Sequence, residues 1–227
     1  MKIGILQTGL VPEALRDEFD EYPQFFERLL DGHGFSFESW SVVTGEFPDG
    51  PESADGWLIT GSKHGAYEDH PWIAPLEKLI RDIVAADRPL VGVCFGHQII
   101  AQALGGTVTK YEGGWVVGQQ DYDYGGETLT INAWHQDQVT VAPEGARLVA
   151  QGNHCANAAL LYPGKAYTVQ PHPEFEDAYV QGLLDERAKG VVPDDLIAKA
   201  RARMGGRLDN HRMAQQFATF FRERRLA

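Results

Sequence analysis

Two periods of apolar and polar residues run through the first half of the chain. Residues 2–6 form a short apolar run that reads as a first buried strand. Residues 24–30 read as a helix stopped by Asp31-Gly32. Residues 35–43, rich in aromatic and β-branched side chains, read as a strand. Residues 56–60 form a further apolar strand that ends at Gly61-Ser62. Within residues 72–86, Ile73, Leu76, Leu79, Ile80, Ile83 and Val84 recur at helical spacing. Residues 89–93 predict the next strand, and residues 99–104 the body of a helix that ends at Gly105-Gly106.

From Thr107 the pattern changes. Short β-like runs broken by glycines cover residues 128–131, 139–141, 147–150 and 166–170. Beyond Phe175 helical periodicity returns over residues 178–188, 194–204 and 211–225, punctuated by Val192-Pro193 and Gly205-Gly206. The pattern predicts an α/β fold: a mainly parallel central sheet, helices on both faces and an antiparallel excursion. Residues 1–175 make the domain. Residues 176–227 make a helical C-terminal extension on the same domain, too short to bury a core of their own.

Composition narrows the function. The chain has 227 residues and a net charge of -12, and phosphate binding needs a basic surface, so nucleic acid is excluded as a partner. The charge is uneven, at -16 over residues 1–180 and +4 over residues 181–227. No apolar run is long enough to span a bilayer and the start does not read as a signal peptide, so a membrane partner is excluded and a cytoplasmic location is expected. Two cysteines, Cys94 and Cys155, make no disulfide framework.

The most pointed chemistry lies at Gly92-Val93-Cys94-Phe95-Gly96. A strand runs into a glycine-flanked cysteine and then into a helix, the layout of a nucleophile elbow. The helix N-terminus favours the thiolate. A base is offered by His172 in Gln170-Pro171-His172-Pro173-Glu174-Phe175. Glu174, two residues on in an extended segment, points the same way and can orient the imidazole. The oxyanion donors are expected to be the N–H groups of Phe95 and of Gly61. His64 and His70 with Glu68 and Asp69 match no recognised ligand spacing and read as a solvated loop, so no metal is expected. Cys155 lacks an elbow and reads as a structural thiol.

These motifs, with Ile59-Thr60-Gly61-Ser62, resemble those of the class I, triad-type glutamine amidotransferases. The closest look is to stand-alone members resembling the amidotransferase part of GMP synthase. The resemblance covers residues 1–175 and implies the family's flavodoxin-like three-layer fold. It implies that Cys94 attacks the side-chain amide of glutamine to form a γ-glutamyl thioester. His172 then protonates the leaving ammonia and activates water, while Glu174 orients His172. It places Gln98 on the amino-acid moiety of glutamine. It places Gly114 and Trp115, with His135, Gln136 and Asp137, in loops lining the glutamine pocket, and it implies no cofactor. Family members that make a product pass ammonia to a synthetase, which here would be a separate partner protein, because no phosphate loop of the pyrophosphatase type is present. The helical ending resembles stand-alone γ-glutamyl peptidases, so hydrolysis of γ-glutamyl peptides or amides by the same triad stays open. A binding or redox-sensing protein that keeps the elbow is the third reading.

Overall fold

The central strands are apolar on both faces, and the chain covers both. The computed structural model describes residues 1–226. Its strands are β1 Lys2–Leu6, β2 Ser36–Trp40, β3 Gly56–Ile59, β4 Leu90–Val93, β5 Thr107–Lys110, β6 Val116–Tyr124, β7 Glu127–His135, β8 Asp137–Val141, β9 Arg147–Gly152, β10 Cys155–Tyr162 and β11 Ala166–Val169. Its helices are α1 Tyr22–Leu29, α2 Ile73–Ala85, α3 Phe95–Ala103, α4 Asp177–Glu186, α5 Asp194–Arg203 and α6 Asn210–Glu223.

Nine strands form one sheet in the order β2-β1-β3-β4-β11-β10-β9-β6-β7, while β5 and β8 pair separately. The run from β2 to β11 is parallel throughout. The run from β11 to β7 is antiparallel. The sheet is therefore mixed, and parallel where the core is deepest. Successive residues of its inner strands send side chains to opposite faces. Trp57 and Ile59 of β3 join Leu76, Ile80, Ile99 and Ile100 of α2 and α3. Leu58 of β3, with Ile3, Ile5 and Val91, joins Phe26 of α1 and Met213, Phe217, Phe220 and Phe221 of α6. Three layers result. Parallel strands put their carboxyl ends on one edge, and in open α/β sheets that edge carries the site.

Several boundaries differ from the sequence reading. The strand expected over residues 35–43 stops at Trp40, because Val42–Thr44 turn into a 3-10 helix capped by Gly45 at φ 91°. The helix expected over residues 99–104 begins at Phe95, directly after the elbow. Strands β5, β6 and β10 did not read as strands from sequence. β6 carries Gln119, Gln120 and Asp121 in its middle, and nine residue pairs with β7 hold it in place.

The last three helices pack on the body of the molecule. α4 and α5 close a third cluster in which Tyr179, Leu183 and Ala200 meet Phe25, Val117 and Phe175. α6 lays its aromatic face on the parallel strands: Phe217 and Phe220 flank Tyr167 with ring centroids at 5.8 and 6.1 Å. Among the described residues no helix is long and apolar enough to cross a membrane.

Candidate active site

Cys94 stands alone between β4 and α3, with φ 52° and ψ -103°, a conformation that a side-chain-bearing residue rarely adopts. Its N–H donates to the Val169 carbonyl at 2.9 Å and its carbonyl accepts the Gln98 N–H at 3.0 Å, which clamps the turn at both ends. The flanking glycines are required by packing. A Cβ at Gly92 would lie 2.6 Å from the Gly96 carbonyl, and one at Gly96 would lie 2.3 Å from the Ile59 oxygen. β3, β4 and α3 approach so closely that only a backbone without side chains fits. Strain of this kind persists where the surroundings over-determine it, and it clusters at reactive sites.

His172 follows β11 and is nearly fully buried. Its backbone N–H donates to the Asn132 carbonyl at 2.8 Å, and its ring stacks on Phe175 with centroids 4.1 Å apart and 2° between planes. Nδ1 lies 2.7 Å from Glu174 Oε1. That contact leaves Nε2 as the nitrogen free to meet a substrate. Burial pushes the His172 pKa down. The charges of Glu174 and then Cys94 outweigh that and raise it to about 10, so the ring is an imidazolium at neutral pH. Glu174 is itself buried, and its Oε2 has no partner among the described residues. Beside it, the Tyr179 hydroxyl donates to that of Tyr22 at 3.2 Å. Burial raises the Tyr22 pKa to about 12, with the Glu174 charge adding to it. The wall of Phe19, Tyr22, Phe25, Phe175 and Tyr179 keeps the His–Glu pair dry, which strengthens every charge interaction within it.

Gly61 joins the two halves. A Cβ there would stand 2.8 Å from His172 Cε1 and 3.8 Å from Cys94 Cβ. Phe95 is the first residue of α3, where no earlier turn of the helix can accept its N–H. The structure thus brings Cys94, His172, Glu174, Gly61 and Phe95 to one edge of the sheet. Gly61→Ala keeps its N–H but is expected to force His172 aside and to lower turnover by about 10²-fold or more, the scale of misplacing a catalytic group by about 1 Å. Steady-state rates beside a thermal melt check this, and a variant at near-wild-type activity would remove Gly61 from the site.

The residues expected to hold glutamine are more dispersed. Gln98 is buried, and its amide nitrogen donates to the Asp137 carbonyl at 2.8 Å and to Gln170 Oε1 at 3.2 Å. Its N–H groups tie the elbow helix to β8 and to the turn before His172. His135 is enclosed, and burial, with the His172 charge next, lowers its pKa to about 3, so its ring is neutral. Asp137 is half-buried, which raises its carboxyl pKa, while Tyr67 partly offsets this. Gly114, Trp115 and Gln136 line a separate depression of about 410 Å³ with Lys110, Pro193 and Leu196, because the turn before β6 packs against the lead-in to α5. Trp115 connects the two places through its contact with Trp134, at 6.0 Å between ring centroids.

The cleft that reaches Gly61 and His172 has a volume of about 380 Å³ and is lined also by Trp134, Arg16, Lys63 and Arg187, with Glu13 its sole aspartate or glutamate. Among the described residues Lys63 and Arg187 have no carboxylate partner; Arg16 lies 3.6 Å from Glu21. Arg16, Arg187, Tyr22, Tyr179 and Asn132 did not stand out in the sequence, since nothing local marks them. Cys155 is buried, its thiol pKa pushed up to about 12, as an inert core thiol requires.

Fold and site together define an α/β protein with a cysteine at a nucleophile elbow, beside a buried histidine–carboxylate pair. Residues 49–179 match the model of class-I glutamine amidotransferases, and the chain belongs to that family, whose members are hydrolytic enzymes. It is 28% identical to a glutamine amidotransferase-like protein of Schizosaccharomyces pombe over 97% of this chain and 98% of that one. It is 29% identical to gamma-glutamyl peptidase 4 of Arabidopsis thaliana over 85% of this chain and 83% of that one. The crystal structure of a glutamine amidotransferase from Methylobacillus flagellatus superposes with a TM-score of 0.72, at 22% identity, covering 97% of this chain and 92% of that one.

Proposed function

We propose that this protein hydrolyses γ-glutamyl amide bonds through a covalent thioester on Cys94, and that its substrates carry an anionic leaving group. Cys94 Sγ attacks the γ-carbonyl, and the N–H groups of Gly61 and Phe95 receive the developing oxyanion. The His172 imidazolium gives its proton to the departing nitrogen, the C–N bond breaks, and the γ-glutamyl thioester remains. Neutral His172 then takes a proton from water, whose oxygen attacks the thioester. Glutamate leaves and the thiolate–imidazolium pair is restored. Glu174 holds the ring throughout.

One observation carries the choice of substrate. The group that protonates the leaving nitrogen borders the cleft, so the leaving group faces Arg16, Lys63 and Arg187. An amine bearing a carboxylate fits three cations; ammonia uses none of them. The gamma-glutamyl peptidase relative supports the same substrate class. The family match supports a second reading, in which glutamine is the substrate and ammonia passes to a synthetase partner.

Steady-state rates on glutamine, a γ-glutamyl dipeptide and an uncharged γ-glutamyl amide separate the two. The dipeptide is expected to exceed glutamine in kcat/KM by about tenfold or more, the worth of one charge-assisted hydrogen bond. Replacing Lys63 and Arg187 by alanine is expected to raise KM for the dipeptide alone. Preference for glutamine, indifference to both substitutions and stimulation by a synthetase would favour the second reading.

A further inference from the structure

The loop between β3 and α2 brings together three side chains that the sequence leaves as a solvated stretch. His64 Nδ1 lies 3.4 Å from Glu68 Oε2, and His70 Nε2 lies 2.7 Å from the same oxygen. One ligand atom from each residue falls within 4.8 Å of the other two. We propose that His64, Glu68 and His70 form a binding site for a divalent transition-metal ion of the zinc class, at the rim of the cleft.

The donor set has the composition of known zinc sites, two imidazoles and one carboxylate, with a fourth position open to water. Four-coordinate zinc has bonds of about 2.0–2.2 Å to such ligands, which sets neighbouring donors roughly 3.3 Å apart. The His64–Glu68 distance already meets this. The His70–Glu68 contact widens when the ion replaces the proton that those two groups now share. Imidazole nitrogens select zinc, copper or nickel over magnesium and calcium, which take oxygen ligands.

The site is held in place before any ion arrives. His70 stacks on Trp72 with 6° between planes and 5.8 Å between centroids, and the two histidine rings meet edge-on at 4.2 Å. The His64 backbone N–H donates to Ser62 Oγ at 3.2 Å. Lys63, next to His64 in the chain, opposes a cation here, and the carboxylate of Glu68 offsets it. His64 lines the cleft three residues beyond Gly61, so an ion on this site fastens the segment that carries Gly61.

Isothermal titration with zinc chloride and visible absorption of the cobalt-loaded chain test the site without any turnover, and so independently of the proposed reaction. One equivalent per chain is expected, with micromolar affinity and a tetrahedral cobalt spectrum. His70→Phe keeps the stack on Trp72 but loses the ligand, and Glu68→Gln alters an exposed position. Each is expected to weaken zinc at least about tenfold while the far-UV circular dichroism stays native. Cys94→Ala is expected to bind as the wild type does. Absence of saturable binding, equal affinity in His70→Phe and Glu68→Gln, or loss of binding in Cys94→Ala alone would each overturn the proposal, the last by moving the metal to the thiol.

Discussion

Cys94→Ala is expected to lose γ-glutamyl hydrolysis by about 10⁶-fold, the scale on which a triad nucleophile is missed. Cys94→Gly is expected to be equally inactive and yet to melt above Cys94→Ala. The two variants separate chemistry from backbone strain, because neither has a thiol and only one has a Cβ. A side-chain-bearing residue held at φ 52° and ψ -103° carries strain of about 1–3 kcal/mol. Glycine relieves it, and the flexibility glycine adds to the unfolded chain returns about 0.4–1 kcal/mol. A net gain of about 1 kcal/mol corresponds to about 2–4 °C in melting temperature for a chain of this length. Differential scanning calorimetry on the pair reads this directly. Equal melting temperatures would mean that the turn holds no more strain than the unfolded-state flexibility of glycine offsets, about 0.4–1 kcal/mol, and residual hydrolysis in either variant would place the nucleophile elsewhere.

Glu174→Gln is expected to lower kcat by about 10⁴-fold, as when the carboxylate of a triad becomes an amide. It also changes the pH profile, which a merely structural role would not do. Activity needs His172 protonated to meet the leaving nitrogen. Burial pushes the His172 pKa down, and the charges of Glu174 and then Cys94 bring it up to about 10. The alkaline limb of kcat/KM is therefore expected near 10 in the wild type and well below that in the variant. Stability follows the same sign. A histidine with a raised folded pKa contributes its full stabilisation below the unfolded value of about 6.5, and the contribution is lost as pH rises through the folded value. Chemical denaturation between pH 6.5 and 10 is expected to show a falling stability in the wild type and a flatter one in Glu174→Gln. Identical slopes would break the link between the two side chains.

The sequence made some of this legible for physical reasons. β1, β3 and β4 are apolar on both faces because helices cover both, so they stand out as unbroken runs. The elbow and the His-Pro-Glu turn are also local: their residue types answer to one tight turn and one extended pair. β6 and β10 are held by cross-strand pairing more than by their own composition, and Gln119, Gln120 and Asn157 hide them. The dry wall around Glu174 could not be read at all, since Tyr22 and Tyr179 meet across 157 positions. Arg16 and Arg187 likewise reach one cleft from opposite parts of the chain. The C-terminal helices read as periodic segments, but the face that each would cover was not written in their spacing.

α6 is synthesised after every strand it covers. Until residues 210–223 leave the ribosome, the side of the sheet that carries Ile3, Leu58, Val91 and Tyr167 lacks Met213, Phe217, Phe220 and Phe221. The nascent chain must therefore hold an open greasy surface from the completion of β11 until α6 is made, a state that invites chaperones and self-association. Nucleophile and base are both made before this helix arrives, so every residue of the triad precedes the cover of the sheet behind it.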